Sequence, residues 1–482
     1  MFPGDAERVL GHLDRFRPLI MVDASAGPAA RLAAMSLYSL TARLLPHTEL
    51  IGSGEVTKNP WGVTRLEDLP ERLKGALPSP SRMPEEDVRL GIAVDAGADL
   101  YLGGDDWTAI LRRMPVNPGK GSFPIGWQGA AVLAATEVAK KVWSGLGLIV
   151  NPLGQEFVWN YFNHRCEPAP HGASATKPIN LAVLGGGSAG SSTVGILVMI
   201  DGLTGHAVVV DDDDFDPYRN PYRYPASTPE VSGPKARWLA DMLRSAGWDA
   251  HERAMKVGAW VPTLAEPGWR GVAVSSVDDV DGRFEVADLL AETTISLGIK
   301  GLRLHVQREH LGDGSACPFC EFVDVRVAIS ESQAESAFTG IPAQRIETIR
   351  LTGARLTQED VSCAVDAGRI KAADAKQLVG RRFEDLVKRV YADALAPALP
   401  GSQATPVSAP HVSWAAGVLA GAEVAKAAMG FPLVDRRVDL DLSGLPQGLI
   451  LKRPADRSGR CPCASPIRQG WMTRLYSLPT RG

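Results

Sequence analysis

Three absences frame this chain. No uninterrupted apolar run approaches the roughly 20 residues that cross a bilayer; stretches such as Ile196 to Ile200 are far too short. An excess of one charge is also missing. Lys and Arg number 51 against 55 Asp and Glu, a formal net charge of -4, so no global field calls for a nucleic-acid partner. The first ten residues, MFPGDAERVL, lack the basic and then apolar plan of a signal peptide. A cytoplasmic protein with neither nucleic acid nor membrane as partner is the expectation. Cysteine is scarce as well, at six in 482 residues. In a large chain without an export signal, close cysteine pairs point to metal or redox chemistry before disulfides. Four of the six form two such pairs, Cys317/Cys320 and Cys461/Cys463; Cys166 and Cys363 stand alone. What remains is ordinary: 45% hydrophobic and 22% charged residues, over a length that supports two or three domains.

An internal repeat organises the chain. Residues 131–140 read AVLAATEVAK and residues 417–426 read GVLAGAEVAK, identical at seven of ten positions, each preceded by a tryptophan, Trp127 or Trp414. Chance likeness between two Ala-rich helices is the bland alternative. The fronts of the halves correspond too. LIMVDASAG (19–27) and NLAVLGGGSAG (180–190) are apolar strands entering small-residue turns, followed by helical stretches from Pro28 to Leu45 and from Ser191 to Leu203. The breaker-rich segment RCEPAPHGASATKP (165–178) reads as the linker between halves.

The second half carries the chemistry. Gly185, Gly187 and Gly190 form G-x-G-x-x-G after a strand, a turn whose backbone can approach a phosphate at a helix N-terminus. A glycine turn without function is the competing reading. The next strand, Ala207 to Val210, ends in four acids, Asp211 to Asp214, where such folds read a ribose hydroxyl; a solvated acidic turn is the alternative. Then come Asn220, Arg223 and Lys235, and a third strand, Gly271 to Val277, ending in Asp278-Asp279 with Arg283 five residues after Asp278. A carboxylate there is suited to hold Mg²⁺ over a triphosphate. Hydride transfer would need neither that acid nor the cations.

This ordered set resembles the ubiquitin-activating, ThiF-type adenylating family. Its members carry the glycine turn, a D-x-D strand end, Asn-x-x-Arg, Pro-Lys, and an Asp-Asn pair five residues before an Arg. Here these are Gly185, Gly187 and Gly190; Asp211 and Asp213, or Asp212 and Asp214; Asn220 and Arg223; Pro234-Lys235; and Asp278 with Arg283. Asp279 departs from the usual Asn, and the stretch before the acids is slightly long. The resemblance implies an α/β fold of two Rossmann-like lobes. Residues 1–164 would be an inactive lobe, since ASAGP stands where phosphate glycines would be. Residues 179–335 and 401–465 would be the active lobe, 336–400 a mainly helical insertion, and 466–482 a solvated tail. It further implies ATP and Mg²⁺ as cofactors, with the first acid on the ribose, Arg223 and Lys235 on the β- and γ-phosphates, and Asp278 on the metal. The implied partners are a ubiquitin-like protein ending in Gly and a conjugating enzyme, as in bacterial defence operons.

The cysteine pairs, C-P-F-C and C-P-C, suit one Zn²⁺ held by Cys317, Cys320, Cys461 and Cys463. A redox C-x-x-C is the rival for the first pair and leaves the second unexplained. Cys363 is the candidate thioester nucleophile. Thr357 and Asp360 suggest a capping box before it and Gly368 a stop after it, which sets Cys363 early in a short helix. Glu359, Asp360 and Asp366 would oppose a thiolate there, and a buried inert cysteine is the alternative. Cys166, beside His164 and Arg165, is the second candidate. The basic segment Lys376 to Tyr391 reads as one helix, either a docking element or a solvated amphipathic face. Besides ubiquitin-like activation, two readings stay open: carboxylate adenylation without an enzyme thioester, and a non-catalytic binding protein of the same fold.

Overall fold

A computed structural model describes residues 6–117, 121–147, 150–166, 176–218, 220–309, 316–323, 331–395, 409–433, 437–444, 449–451, 455–456 and 458–476. The linker read at 165–178 therefore lies mostly outside the described residues, as does Arg219. The chain divides into two compact units, one of residues 12–321 with 408–482, the other of residues 322–407 with 1–11.

The larger unit is mixed α/β and holds two sheets. The first is built from β1 (Phe16–Val22), β2 (Glu49–Ile51), β3 (Glu86–Ile92), β4 (Leu100–Gly104), β5 (Thr108–Arg112) and β6 (Glu156–Asn160), in the order β2-β1-β3-β4-β5-β6. The strands β2, β1, β3 and β4 run parallel; β5 and β6 are antiparallel additions. Helices α1 (Pro28–Ala42) and α2 (Ile125–Gly145) pack on it.

The second sheet follows the same plan at greater width. Its strands are β7 (Ile179–Leu184), β8 (Gly205–Val210), β9 (Asp249–Arg253), β10 (Trp269–Ser275), β11 (Ala291–Lys300), β12 (Arg303–Glu309), β13 (Arg437–Asp441) and β14 (Leu449–Leu451). Their order is β9-β8-β7-β10-β11-β12-β13-β14, parallel from β9 to β11 and antiparallel beyond. The strand at 271–277 is thus the fourth parallel strand, not the third. β9 reads D-A-H-E-R, with no apolar run to announce it; it is an edge strand. Helices α3 (Ser188–Val198), α4 (Lys235–Ser245), α5 (Val280–Asp288) and α11 (Pro410–Met429) belong to this sheet.

Small residues set the helix packing. A Cβ on Gly417 would fall 2.6 Å from the Ser192 backbone, and one on Gly421 2.6 Å from Ile196, so α11 lies tight against α3. α11 also packs on α2, and Trp414 Nε1 donates to Gln128 Oε1 at 2.9 Å. Buried Leu, Ile and Val on these strands and helices supply the core, each side chain contributing about 1.5–3 kcal/mol of transfer free energy.

The smaller unit is helical: α6 (Glu331–Thr339), α7 (Ala343–Thr352), α8 (Gln358–Asp366), α9 (Ala372–Leu378) and α10 (Phe383–Leu395). The boundary expected at 336 falls inside α6. Ile341, Ile346, Val361 and Leu386 form its core. The helix expected over Lys376–Tyr391 is interrupted. Gly380, at φ 78°, donates its N–H to Leu356 O and separates α9 from α10. The expected solvated tail is instead, over its described part, α12 (Pro466–Tyr476). Tyr476 Oη donates to the carbonyl of Leu290, Met472 is buried, and Arg468 pairs with Asp288. Among the described residues no helix is long and apolar enough to cross a membrane.

Candidate functional site

Parallel strands send their C-terminal ends to one edge, and ligands of such sheets bind in the crevice there. At this edge β7 is flanked by β8 and β10. Gly185 leaves β7 at φ 93°, a left-handed value that favours glycine. Its carbonyl accepts from Ser276 Oγ at 2.8 Å, and Ser276 N–H donates to Leu184 O, so the end of β10 is stitched to the turn. Gly190 lies so close that an added Cβ would stand 2.0 Å from Gly185 O. Gly187 caps α3, and nothing lies within 4 Å of where its Cβ would be.

On the other side, the end of β8 turns inward. Asp211 accepts from Gly186 N–H at 2.5 Å and from Asp213 N–H at 2.9 Å. Burial raises its carboxyl above the ordinary range, with those hydrogen bonds and Lys235 opposing. Asp213 accepts from Lys235 Nζ at 2.6 Å. Lys235 heads α4 and is nearly buried; burial works against its charge, but Tyr224, Asp213 and Asp211 more than compensate and raise its pKa. Of the four acids, Asp211 is half-buried and bonds the glycine turn directly, while Asp212, Asp213 and Asp214 are exposed and Asp213 joins through its bonds to Asp211 and Lys235.

Asn220 and Arg223 sit on the excursion 216–232, whose base is a two-stranded ribbon of 214–215 with 233–234. Asn220 is buried, and its carbonyl takes the N–H of Arg223 at 2.8 Å and of Tyr224 at 3.0 Å. Arg223 Nε is shielded from solvent and makes no hydrogen bond among the described residues. Tyr224, which no sequence motif singles out, is buried beside Lys235 with Arg223 and Asp211 in electrostatic range. Asp278 follows the stitched Ser276–Val277 segment, and Arg283 lies in the field of Glu321, Asp278 and Asp279. Asp279 instead caps α5, accepting from Gly282 N–H at 2.6 Å.

The glycine turn, Asp211, Asp213 and Lys235 are thus joined by direct bonds; Arg223 lies on the excursion next to Tyr224, and Asp278 lies two residues beyond Ser276, which bonds the turn. The arrangement gathers a glycine turn at a helix N-terminus, two carboxylates and one ammonium group at one strand edge.

The four cysteines of the two pairs also meet. Sγ atoms of Cys317 and Cys461, Cys320 and Cys461, and Cys320 and Cys463 are 3.5 Å apart, and Cys317–Cys320 is 3.7 Å. Zn–S bonds of about 2.3 Å in a tetrahedron require S···S near 3.8 Å, so the cluster fits with a small expansion. Amides of Phe319 and Asp456 point at Cys317 and Cys320 Sγ, each at 3.4 Å, and support the negative sulfurs.

Cys363 lies on α8 in the helical unit. The capping box is present, with Thr357 and Asp360 each bonding the other's backbone N–H, and Gly368 at φ 67° follows the helix end. Asp360 also makes a two-pronged bond to Arg345 at 2.8 Å. Cys166 is exposed, with its thiol pKa raised by partial desolvation, and His164 Nε2 is engaged by Glu423 at 3.0 Å. A further cluster of His206, Asp249 and His251 lies at the N-terminal ends of β8 and β9, remote from the glycine turn; its imidazole–carboxylate bonds of 3.0 and 3.1 Å account for it.

No family model matches the chain, and no curated protein matches it. Solved structures with partial likeness include E. coli MccB with succinimide (13% identity, 57% of this chain and 65% of that one, TM-score 0.34). E. coli MccB with ATP gives 12% identity, 58% and 65% coverage, and TM-score 0.34. The microcin C7 biosynthetic enzyme MccB with N-formylated MccA gives 12%, 57% and 65%, and 0.35. This chain therefore spans just under two thirds of the length of those proteins.

Proposed function

We propose that this chain activates the C-terminal carboxylate of a ubiquitin-like protein by adenylation. The observation that carries the proposal is the bonded chain of Gly186 N–H, Asp211, Asp213 and Lys235 at the C-terminal edge of the second sheet, with Arg223 Nε free of protein acceptors among the described residues. ATP would lie over the turn, with ribose on the first acid, Asp211, and the β- and γ-phosphates on Lys235 and Arg223. Mg²⁺, held by Asp278, would supply charge neutralisation on the phosphates. A carboxylate oxygen of the substrate attacks the α-phosphorus, the bond to the bridging oxygen breaks, and pyrophosphate leaves with its charge compensated by the two cations. The product is an acyl adenylate.

In this reading the two sheets are related Rossmann-like lobes of ThiF type, the second active and the first inactive. After β1 the first lobe has Asp23, which accepts from Ser25, in place of a glycine turn, so an anion would meet a carboxylate there. Cys317, Cys320, Cys461 and Cys463 would hold a structural Zn²⁺, closed to catalysis by its four sulfurs. Transfer to Cys363, with attack of the thiolate on the acyl carbon and departure of AMP, completes the sequence toward a conjugating enzyme. A second reading, adenylation without an enzyme thioester, is favoured by the acids Glu359, Asp360 and Asp366 around Cys363.

The test is ATP–pyrophosphate exchange with a small Gly-ending protein, comparing wild type with Lys235→Met and Asp278→Asn. Exchange that falls at least about 100-fold in both variants supports adenylation; exchange insensitive to both overturns it. A reductant-sensitive band with labelled partner, lost in Cys363→Ser, separates the two readings.

A further inference from the structure

We infer that Arg43, on the first sheet's helix α1, is a positioning residue that shapes the excursion bearing Asn220 and Arg223; its catalytic consequence rests on the adenylation reading. The excursion is short of donors. Prolines stand at 217, 221, 225 and 229, and none has an N–H, so its carbonyls outnumber the amides that could satisfy them from within. Turns at Arg223, Tyr224 and Ser227 use some of them. Pro221, Pro225 and Ser227 are buried, so their carbonyls need donors from elsewhere.

Arg43 supplies those donors. It closes the C-terminal end of α1 and is buried. Its Nη1 donates to Pro221 O and, at 3.3 Å, to Ser227 Oγ. Its Nη2 donates to Pro225 O at 3.1 Å and Ser227 O at 2.6 Å, and Nε donates to Ser39 Oγ at 3.2 Å. Ser39 Oγ and Trp61 Nε1 add bonds of 2.7 and 2.9 Å to Pro225 O, which thus takes three donors from the first-sheet side. All of these acceptors are neutral. Burial without a carboxylate among them pushes the guanidinium down to about 9, an unfavourable setting for a charge that merely fills space. A planar fork of five donors suits several carbonyls at once, and a lysine cannot copy it.

The inner rim of the excursion is therefore fixed from the first sheet, while the same few residues carry Arg223 and set Tyr224 beside Lys235. The first lobe acts on the site through this clamp, without phosphate glycines of its own.

The experiment compares full-length wild type with Arg43→Lys and Arg43→Gln, and with Arg72→Ala as a control. Arg72 makes an exposed ion pair to Glu230 on the same excursion and donates to Trp61 O at 3.1 Å; its loss should leave the amides of Arg223, Tyr224 and Ser227 exchanging as in wild type. Amide hydrogen exchange without nucleotide reads the positioning alone. Both Arg43 variants should exchange at least about tenfold faster at Arg223, Tyr224 and Ser227, the scale set by losing one charged hydrogen bond, with little change in β7 and β8. Pyrophosphate exchange of both should show a raised KM for ATP with a smaller change in kcat, and in a third variant, Arg43→Ala, which leaves room for the ligand, methylguanidine should restore part of the loss. Unchanged exchange at those three amides, or acceleration spread evenly through the unit, overturns the inference. A wild type that exchanges no pyrophosphate, with the amide pattern as expected, overturns adenylation and leaves the clamp.

Discussion

At the scale of single residues, the glycine turn separates two requirements that the motif merges. Gly190 is needed by the fold. Its Cβ would meet Gly185 O at 2.0 Å and Ser276 Oγ at 2.7 Å, and the carbonyl cannot retreat because Ser276 already holds it. Gly187 has an ordinary φ of -61° and open space around it. Gly190→Ala should therefore destabilise the protein by about 1–3 kcal/mol through overpacking. Gly187→Ala should stay within about 0.5 kcal/mol of wild type in stability, and on the proposed adenylation reading it should weaken ATP binding, because a methyl would enter the open space over the turn. Urea titration and calorimetric ATP binding on the two variants check the pair of outcomes. Equal destabilisation would show that the turn is packed otherwise.

At the scale of elements, two segments carry measurable linkages. Helix α11 starts beside His411, which is buried near the Trp143 ring and pushed down to about 4 by burial. The unfolded chain protonates this imidazole near 6.5 while the native state keeps it neutral, so stability rises with pH between about 4 and 6.5 and is lost on acidification. His305, lowered to about 4 by burial and then by Arg437, acts in the same direction. His411→Leu should recover up to about 2 kcal/mol at pH 5 relative to its effect at pH 7.5; urea midpoints at the two pH values measure it. The second segment is the cysteine cluster, which joins the chain after β12 to the start of α12. One zinc per chain by mass spectrometry is expected, and chelation or Cys461→Ser should lower the melting temperature and free Met472 and Tyr476. Much of this was legible in the sequence. Glycine spacing gave the turn after β7, the cysteine spacing gave the cluster, and Thr357 with Asp360 gave the start of α8. The rest was not, for physical reasons. β9 is an exposed edge with no apolar alternation, a left-handed Gly380 breaks an otherwise periodic helix, and α12 docks through a few apolar contacts in a polar run. Arg43 is invisible for another reason: its acceptors on the excursion are 178 to 184 residues away.

At the scale of the whole larger unit, the repeated Glu-Val-Ala-Lys acquires a structural cause. In α2, Glu137 and Lys140 form a buried pair; in α11, Glu423 and Lys426 do the same at 2.5 Å. Each pair then reaches outward. Lys140 Nζ donates to Asn151 O at 2.8 Å and to Gly444 O, beyond β13, at 3.2 Å. Lys426 Nζ donates to Phe162 O at 3.2 Å, and Glu423 engages His164, both beyond β6. A helix of each sheet thus holds a connection that follows a strand of the other sheet, and the two pairs brace the unit crosswise. Burial opposes the charge on Glu423, but Lys426 and His164 outweigh it and keep its carboxyl below the ordinary value. Removing one partner leaves the other charged and buried, which costs about 3–5 kcal/mol, whereas removing both often costs far less. Lys426→Met should therefore destabilise the unit by that amount, and Glu423→Gln with Lys426→Met by less than the sum of the single changes. The same order should hold for Glu137 and Lys140, because the brace is the same device used twice. Urea unfolding of the four members of each cycle measures the coupling. Additive single effects would mean that the repeat preserves helix packing alone, with the ion pairs as passengers.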